Sequence, residues 1–290
     1  MIKTKFISAV IFCATSITLL MLMASQVPAQ QTASTQPDRK NILWTPLAGG
    51  VEYTTQKISD GPVANDGILH LVRIDPMRAT LRLLMASALG KRQRTAQQWC
   101  TEFGMIAVIN AGMFQADHLT HVGYMRSGHY INNARWAKEY NSILLFDPVR
   151  PGIPIAQIED SAADVSSIRQ DYATVIQNIR LIKGEGVNVW KERPRKWSEA
   201  AIAIDGKGRI LFLFVRSPLS MHDFNAKILA LPLDIKRAMH LEGGPEASLS
   251  ICTPSTRLDL AGSLETGLLE NSGDLGQWTI PNVIGVVSDH

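Results

Sequence analysis

The sequence predicts an α+β fold in which mixed or antiparallel sheets and a few packed helices form a single domain. Short apolar runs of strand length outnumber the helix signals and do not alternate strictly with them, which disfavours a doubly wound parallel sheet. The clearest signal is AAIAIDGKGRILFLFV at residues 200–215, where Asp205-Gly206 and Gly208 separate two apolar runs as in a β-hairpin. These observations favour a sheet-rich domain.

Length and composition fit one globular domain over residues 41–290. The chain has 290 residues, of which 46% are hydrophobic and 19% charged, enough to bury one large core. No long Pro, Gly or Ser linker, charge block or repeat interrupts this part of the sequence.

Two helices are predicted from their first turns. Thr95 and Gln98 have the spacing of a capping box, in which each side chain bonds the backbone of the other residue. Ser220 and Asp223 repeat that spacing before a segment with apolar residues at helical intervals.

Strands are predicted where short apolar runs end at turn residues. HLVRID and ATLRLLMAS flank a turn containing Pro76, which predicts a hairpin, and GYMRSGHYIN contains a Ser-Gly turn that predicts another. The remaining strands are predicted at MIAVIN (105–110), SILLF (142–146), AMHLE (238–242), SLSIC (248–252) and VIGVV (283–287).

Residues 1–29 are predicted to be a signal peptide, which makes the protein exported, either periplasmic or extracellular. Lys3 and Lys5 precede a mostly apolar stretch, and Val27 and Ala29 fit the small-residue rule for cleavage after Ala29. An apolar run of this length could also remain as an uncleaved anchor. Cleavage would leave no stable membrane span.

Residues 30–40 are polar and aperiodic, as expected of a flexible leader. The formal net charge of +3 falls to +1 once the two lysines of the signal are removed, so nothing indicates a nucleic-acid partner. Cleavage also removes Cys13. Cys100 and Cys252 then remain, either as a disulfide or as two buried free thiols.

The strongest candidate for a catalytic carboxylate is Glu242, which directly follows an apolar strand. Gly243 and Gly244 come next and could turn their amides toward an anion, and Glu246 and Ser248 follow as further polar groups. The alternative is that Gly-Gly-Pro is a turn and both glutamates are solvated.

Two other pairs are candidates for the same site. Asn110 and Gly112 end a buried strand, where an amide and a close backbone approach could bind a ligand, although both residues could merely shape a turn. His222 and Asp223 could form a catalytic acid–base pair, although Asp223 also has a structural role in the first turn of its helix.

Arg126 is a candidate phosphate ligand, because a guanidinium can hold a phosphate through two parallel hydrogen bonds. The nearby His118, His121 and His129 invite a metal hypothesis, but their spacing matches no zinc motif. No cofactor is predicted, and a divalent metal stays open. The sequence contains no phosphate-binding P-loop, G-x-S-x-G elbow or dinucleotide fingerprint.

The order of five segments resembles the phosphodiester glycosidase family, from about Asn41 to the C-terminus. The segments are INAGMF (109–114), GYMRSGHYIN (123–132), AIAIDGKGRILFLFV (201–215), SPLSMHDFNAKIL (217–229) and AMHLEGGPEASL (238–249). The family signature N-G/A-G-F/M-F is similar to the first segment, with Asn110, Gly112 and Phe114 at the matching positions.

The last segment resembles the family signature L-D-G-G-x-S-S with two departures nearby. Leu241, the two glycines and Ser248 match, but Glu242 replaces the aspartate and Pro-Glu-Ala replaces the small polar run. Glu199 stands where the family often carries an arginine. The longer side chain of Glu242 could retune or abolish the activity, and Glu199 could change which phosphate-bearing substrate fits.

The resemblance implies hydrolysis of a sugar joined through its anomeric carbon to a phosphodiester, in an envelope or extracellular glycan. It implies Glu242 as base or nucleophile, and His222 as an aid to proton transfer. The implied binding groups are Arg126 with the amides of Gly243 and Gly244 for the phosphate, and Asn110 for the sugar. A non-catalytic glycan-binding or exopolysaccharide-associated protein, and a purely structural envelope protein, are the alternatives.

Overall fold

The computed structural model describes residues 41–59, 67–161, 169–263 and 276–288. The predicted signal peptide and leader therefore lie outside the described residues. Within those ranges, no helix is both long and apolar enough to cross a membrane.

The largest element is an eight-stranded sheet. Its neighbouring strands, in order, are β1 (Thr45–Ala48), β2 (Val51–Lys57), β3 (Ile68–Ile74), β14 (Ile210–Leu219), β13 (Trp197–Asp205), β15 (Ile235–Gly243), β11 (Arg180–Lys183) and β12 (Val187–Asn188). The predicted hairpin around Asp205-Gly206 is confirmed as β13 and β14, in the centre of this sheet.

Two five-stranded sheets complete the described strands. One has the order β7 (Tyr130–Asn133), β6 (Met125–Ser127), β10 (Tyr172–Asn178), β8 (Ser142–Pro148) and β9 (Ala156–Asp160). The other has the order β17 (Arg257–Ala261), β16 (Ser248–Cys252), β5 (Ala107–Asn110), β18 (Asn282–Ser288) and β4 (Ala79–Met85).

The fold is more sheet-dominated than the predicted α+β class. Every pairing between these strands is antiparallel, so the mixed-sheet option is not realised. Two α-helices lie in the described ranges, α1 (Ala96–Glu102) and α2 (Met221–Ala230), with single 3₁₀ turns at Ala86–Ala88 and Gly244–Glu246.

Both predicted helix starts are confirmed. Thr95 and Gln98 form the reciprocal capping box at the start of α1. The Ser220 hydroxyl caps α2 by accepting a hydrogen bond from the Asp223 amide at 3.0 Å. These local patterns were sufficient because capping involves only neighbouring residues.

The predicted hairpin around Pro76 is wrong, whereas the Ser-Gly hairpin is confirmed as β6 and β7. β3 pairs with β2 and β14, but β4 pairs with β18 in a different sheet. Val72 on β3 and Leu81 on β4 nevertheless belong to the same apolar core. The turn therefore carries the chain from one sheet to another across that core. β3 and β4 form their backbone hydrogen bonds with other strands and not with each other.

The central sheet is covered on both faces, and its side chains alternate between two cores. On β13, Ala200 and Ile202 face the core shared with the five-stranded sheets, whereas Ala201 and Ala203 face a second core that contains Phe224 of α2. This alternation is the period of two expected of a strand. The face that carries α2 also carries the candidate site.

A disulfide joins Cys100 of α1 to Cys252 of β16, with Cα atoms 6.1 Å apart. The sequence left open whether these cysteines form a disulfide or remain buried free thiols, and the structure shows the disulfide. The bridge closes a loop with a sequence separation of 152 residues, so it restricts the unfolded chain strongly.

Replacing both cysteines by serine is expected to lower the free energy of unfolding by about 3–5 kcal/mol, because the unfolded chain regains the entropy of an open loop. Urea denaturation followed by circular dichroism measures the difference. A reductant should bring the wild type to the level of the double variant and leave the variant unchanged. Equal stability of the two proteins without reductant would contradict the prediction.

Candidate active site

A cavity of about 820 Å³ lies beside the α2-covered face of the central sheet. Its lining combines three chemical groups. Aromatic residues are Trp190, Trp197 and Trp278, cations are Lys191, Arg193 and Arg195, and titratable groups of the sheet and the following turn are His240, Glu242 and Glu246. A space of this size with aromatic, cationic and acidic walls suits an anionic ligand with a sugar-sized apolar face.

The end of β15 delivers its polar side chains to the cavity. On this strand, Met239 and Leu241 are buried in the core shared with the five-stranded sheets, while His240 and Glu242 line the cavity. The register slips here, because Ala201 opposes His240 but Ala200 opposes Glu242, two residues further on. A β-bulge of this kind re-aims side chains and is common beside active sites.

A buried acid–base pair lies beneath the cavity. The Glu199 carboxylate contacts His240 Nδ1 at 2.5 Å and accepts a hydrogen bond from Trp197 Nε1 at 2.9 Å. Glu199 is 1% exposed and His240 is 3% exposed. Burial by itself would lower the pKa of His240, but the carboxylates of Glu199 and Glu242 outweigh it, and the pKa is raised. His240 is therefore held toward its cationic form.

Glu242 has the properties of a group that exchanges protons near neutrality. Burial is the main cause that raises the pKa of Glu242 to about 7. The charge of His240 and the Gly243 amide oppose this rise, while Glu246 and Glu199 add to it. A carboxylate with a pKa near the working pH is suited to general acid–base catalysis.

Asn110 ties the two signature segments together. Its Nδ2 donates to the Glu246 carbonyl at 2.9 Å, and its Oδ1 accepts from the Ser248 amide at 2.7 Å. The Ser248 hydroxyl also donates to the Glu246 carbonyl, at 3.1 Å. Asn110 is 1% exposed. Its amide thus fixes the turn that follows Glu242 and does not line the cavity.

Gly112 is required by a close approach of the backbone to neighbouring side chains. Its φ of +130° is rarely adopted by other residues, and an added Cβ would lie 2.4 Å from His121 Cε1 and 2.7 Å from Asn178 Nδ2. The following residue, Met113, does line the cavity. Gly112 therefore shapes the wall without contacting the cavity itself.

The sequence suggested that the amides of the two glycines after Glu242 face a bound anion, and the structure shows a different arrangement. The Gly243 amide donates to the side chain of its own neighbour, Glu242 Oε1, at 3.0 Å. A Cβ on Gly243 would lie 2.6 Å from Trp197 Cδ1, so this position accommodates the indole ring. Gly244 adopts φ +66° at the start of the 3₁₀ turn. The Gly243 amide thus serves the carboxylate instead of a bound phosphate.

Arg126 lies away from the cavity, in the sheet of β6 and β10. Its Nη2 donates to the carbonyl groups of Arg169 at 2.7 Å and Tyr172 at 2.5 Å. These bonds hold the guanidinium on the backbone at and just before the start of β10, and Arg126 is not among the cavity-lining residues. The predicted phosphate contact of Arg126 is therefore not supported by its position.

His222 and Asp223 lie in the first turn of α2, next to the cavity-lining Met221 but not in the lining themselves. The contact between His222 Nδ1 and Asp223 Oδ1 is 3.4 Å long, and both side chains are about one-third exposed. The sequence pattern predicts that both residues lie in the first turn of a helix. It does not predict which residues of other elements they contact.

The three histidines of residues 118–129 do not form a metal centre. Across the described ranges, no cluster of three or more His, Cys, Asp or Glu side chains could hold a metal ion. His121 is fully buried with Nε2 at 2.8 Å from the Gln177 carbonyl, and burial lowers its pKa to about 4. This imidazole is neutral and part of the core.

Sequence reasoning missed the basic wall of the cavity and the partner of His240. The segment VWKERPRKW contains four cations between two tryptophans, a pattern that could have indicated an anion site. In the sequence, Glu199 stands out only by its difference from the arginine that the resemblance to the family implies at this position. Its contact with His240, between the neighbouring strands β13 and β15, becomes visible only in the tertiary structure.

The fold and the cavity define a sheet-built protein whose site combines cations, tryptophan rings and a carboxylate with a raised pKa. The model of the phosphodiester glycosidase family matches residues 103–287. A comparison with proteins of curated function gives no match.

Solved structures with the same fold have little sequence identity to this chain. One is the zebrafish N-acetylglucosamine-1-phosphodiester alpha-N-acetylglucosaminidase catalytic domain, auto-inhibited by its pro-peptide. It is 11% identical, with a TM-score of 0.56 over 84% of this chain and 85% of that one. Another is a hypothetical protein from Synechocystis, 14% identical, with a TM-score of 0.57 over 87% of this chain and 64% of that one.

The family match extends over more than half of the sequence and includes both signature segments, the basic segment and Glu199. The chain therefore belongs to the phosphodiester glycosidase family, as its segment order predicted. Members of this family are hydrolases.

Replacing Asn110 by alanine is expected to lower the free energy of unfolding by about 2–4 kcal/mol, because the buried Ser248 amide and Glu246 carbonyl both lose a partner. Asn110→Asp should also destabilise, since an oxygen would then face the Glu246 carbonyl. The measurement is urea denaturation. Asn141→Ala is the control, because its side-chain hydrogen bonds are exposed. Equal losses for Asn110→Ala and Asn141→Ala would mean that the amide does not hold the turn.

Proposed function

We propose that this protein is an exported hydrolase that cleaves the bond between a sugar's anomeric carbon and a phosphodiester in an envelope or extracellular glycan. The observation that carries the proposal is Glu242, whose pKa is raised to about 7 in a cavity that also presents cations and tryptophan rings. Family membership supplies the reaction type.

Glu242 is assigned as the general base. Its carboxylate takes a proton from water, the water oxygen bonds to the anomeric carbon, and the bond from that carbon to the phosphate oxygen breaks. The products are the free sugar and a phosphomonoester. A phosphate leaves without needing much protonation, so one well-placed carboxylate suffices where ordinary glycosides need two. A raised pKa makes that carboxylate a stronger base.

Glu199 is assigned as a positioning residue that acts through His240. A buried carboxylate at 2.5 Å fixes the ring orientation and favours the imidazolium. The His240 charge in turn favours the ionised form of Glu242. The pair thus keeps the pKa of Glu242 near neutrality, where burial alone would raise it further.

Phosphate binding is assigned to the basic residues that line the cavity and not to Arg126. Lys191, Arg193 and Arg195 all belong to the lining, and arginine suits phosphate through its planar pair of donors. Trp190 and Trp278 offer flat apolar faces for a sugar ring. Asn110 is kept as a positioning residue for the turn of Glu246 and Ser248.

Export is supported by two independent features. The sequence of residues 1–29 has the charge, apolar run and cleavage signal of a secretory leader. The bond between Cys100 and Cys252 is of a kind that persists in oxidising compartments. Residues 41–290 would then be the working hydrolase.

Glu242→Gln is expected to lower kcat/KM for a sugar-1-phosphodiester by about 10²–10⁴-fold, since the amide cannot accept a proton. Release of free sugar and phosphomonoester measures the rate, and circular dichroism checks folding. Glu192→Gln is the matched control, because Glu192 lies in the basic segment but not in the cavity lining. Unchanged turnover by Glu242→Gln would remove the central assignment, and glycan binding without product by the wild type would favour the non-catalytic alternative.

The pH profile of kcat/KM should rise with pH through an apparent pKa near 7, because the base works only after losing its proton. Glu199→Gln should move this rise to higher pH. His240 would lose the partner that favours its charge, and that charge opposes the rise in the pKa of Glu242 more strongly than Glu199 adds to it. Asp205→Asn is the control, as a buried acid at the other end of β13. An unshifted profile in Glu199→Gln would contradict the positioning role.

A further inference from the structure

Trp197 is the first residue of β13, and its side chain contacts two groups on which the proposed base Glu242 depends. It lies two residues before Glu199, so both side chains are on the same face of the sheet. The ring lines the cavity and packs against the core that contains α2. One indole therefore lies between that core and the cavity.

The first of these groups is the Glu199 carboxylate, which is held at both oxygens. Oε1 lies 2.5 Å from His240 Nδ1, and Oε2 accepts a hydrogen bond from Trp197 Nε1 at 2.9 Å. Glu199 is almost fully buried, so the indole N–H takes the place that water would have at an exposed carboxylate. A hydrogen bond to a carboxylate favours its charged form, and the charged carboxylate favours the imidazolium form of His240.

The second group is the backbone of Gly243, whose amide donates to Glu242 Oε1 at 3.0 Å. Gly243 lies opposite Glu199 in the pairing of β13 with β15. Its φ of −129° is open to any residue, but an added Cβ would lie 2.6 Å from Trp197 Cδ1 and 3.0 Å from Trp197 Nε1. Glycine is therefore required here by the indole ring and not by the backbone conformation.

We propose that Trp197 is a positioning residue for the proton-exchanging groups of the cavity. Its indole N–H orients Glu199 against His240, and its ring fixes the Gly243 backbone. The proposal rests on the proposed function for the role of Glu242 as base, but the state of His240 can be measured without any substrate. Among the described residues, the other charged groups that line the cavity with His240 are Glu242, Glu246, Lys191, Arg193 and Arg195.

Trp197→Phe removes the indole N–H and keeps an aromatic ring beside Gly243 and the Arg195 guanidinium. Because the Glu199 carboxylate then loses one donor, the pKa of His240 should fall by about 0.5–1, the size expected for one hydrogen bond to a charged group. Nuclear magnetic resonance of ¹⁵N-labelled histidine measures this titration. The His240 signal is identified by its loss in His240→Gln.

Trp190→Phe is the matched control for this titration. Trp190 lines the same cavity, but its Nε1 donates at 2.7 Å to a backbone carbonyl, that of Arg180, and not to a carboxylate. The control should leave the titration of His240 unchanged. An unchanged titration in Trp197→Phe, or an equal fall in both variants, would overturn the proposal.

The wild type offers a second measurement that does not depend on the folding of a variant. The indole proton of Trp197 should change its chemical shift with the same midpoint as His240, because both groups contact the Glu199 carboxylate. The indole proton of Trp190 should not follow this midpoint. A Trp197 signal that stays constant through the titration of His240 would also contradict the proposed role.

The pH profile of kcat/KM connects Trp197 with the proposed hydrolysis. In Trp197→Phe the rise should move to higher pH, because His240 carries less of the charge that opposes the rise in the pKa of Glu242. Trp190→Phe should keep the midpoint of the wild type even if its rate changes. An unmoved profile in an active Trp197→Phe would overturn the proposal. Absence of hydrolysis by the wild type would instead count against the proposed function, and the titrations would still decide the positioning role.

Discussion

The side-chain amide of Asn110 is the constraint on which the site depends. β5 ends at this residue, and its two hydrogen bonds, to the Glu246 carbonyl and the Ser248 amide, fix the turn that follows β15. The two signature segments are more than 120 residues apart in sequence, yet each shapes the other. The loss of these two hydrogen bonds would leave the buried Ser248 amide unpaired and the Glu246 carbonyl with the Ser248 hydroxyl as its remaining donor, which would loosen the turn. The asparagine of the first signature is thus explained by geometry and not by contact with a ligand.

The second constraint is electrostatic and comes from the way β13 and β15 pair. Two adjacent strands place Glu199 and His240 on one buried face, and the alternation of side chains along β15 puts Glu242 on the same side as His240. A buried charged pair contributes little net stability, because desolvation offsets the attraction. Its consequence here is the pKa of Glu242, which would differ without the imidazolium nearby. Glu199 therefore contributes to the electrostatics beneath the cavity.

The basic wall of the cavity, residues 190–197, is built differently, from an exposed segment with anchored ends. Trp190 and Trp197 are each hydrogen-bonded to the sheet, so the residues between them need no regular secondary structure. Long cationic side chains can then reach the cavity while their charged ends stay hydrated. The site therefore combines titratable side chains, which are held on the sheet, with a wall of cationic side chains.

The sequence by itself determined part of the strands, namely β3 to β8, β13 to β16 and β18, together with both helix caps and the family. These depend on neighbouring residues or on the order of segments. It also indicated Glu242, from a carboxylate followed by two glycines at a strand end. Only the tertiary structure decided that β3 and β4 enter different sheets, that Arg126 bonds its own sheet, and that Glu199 meets His240. These outcomes depend on sheet order and register, which are fixed by burial across the whole core and leave no signal within a short stretch of sequence.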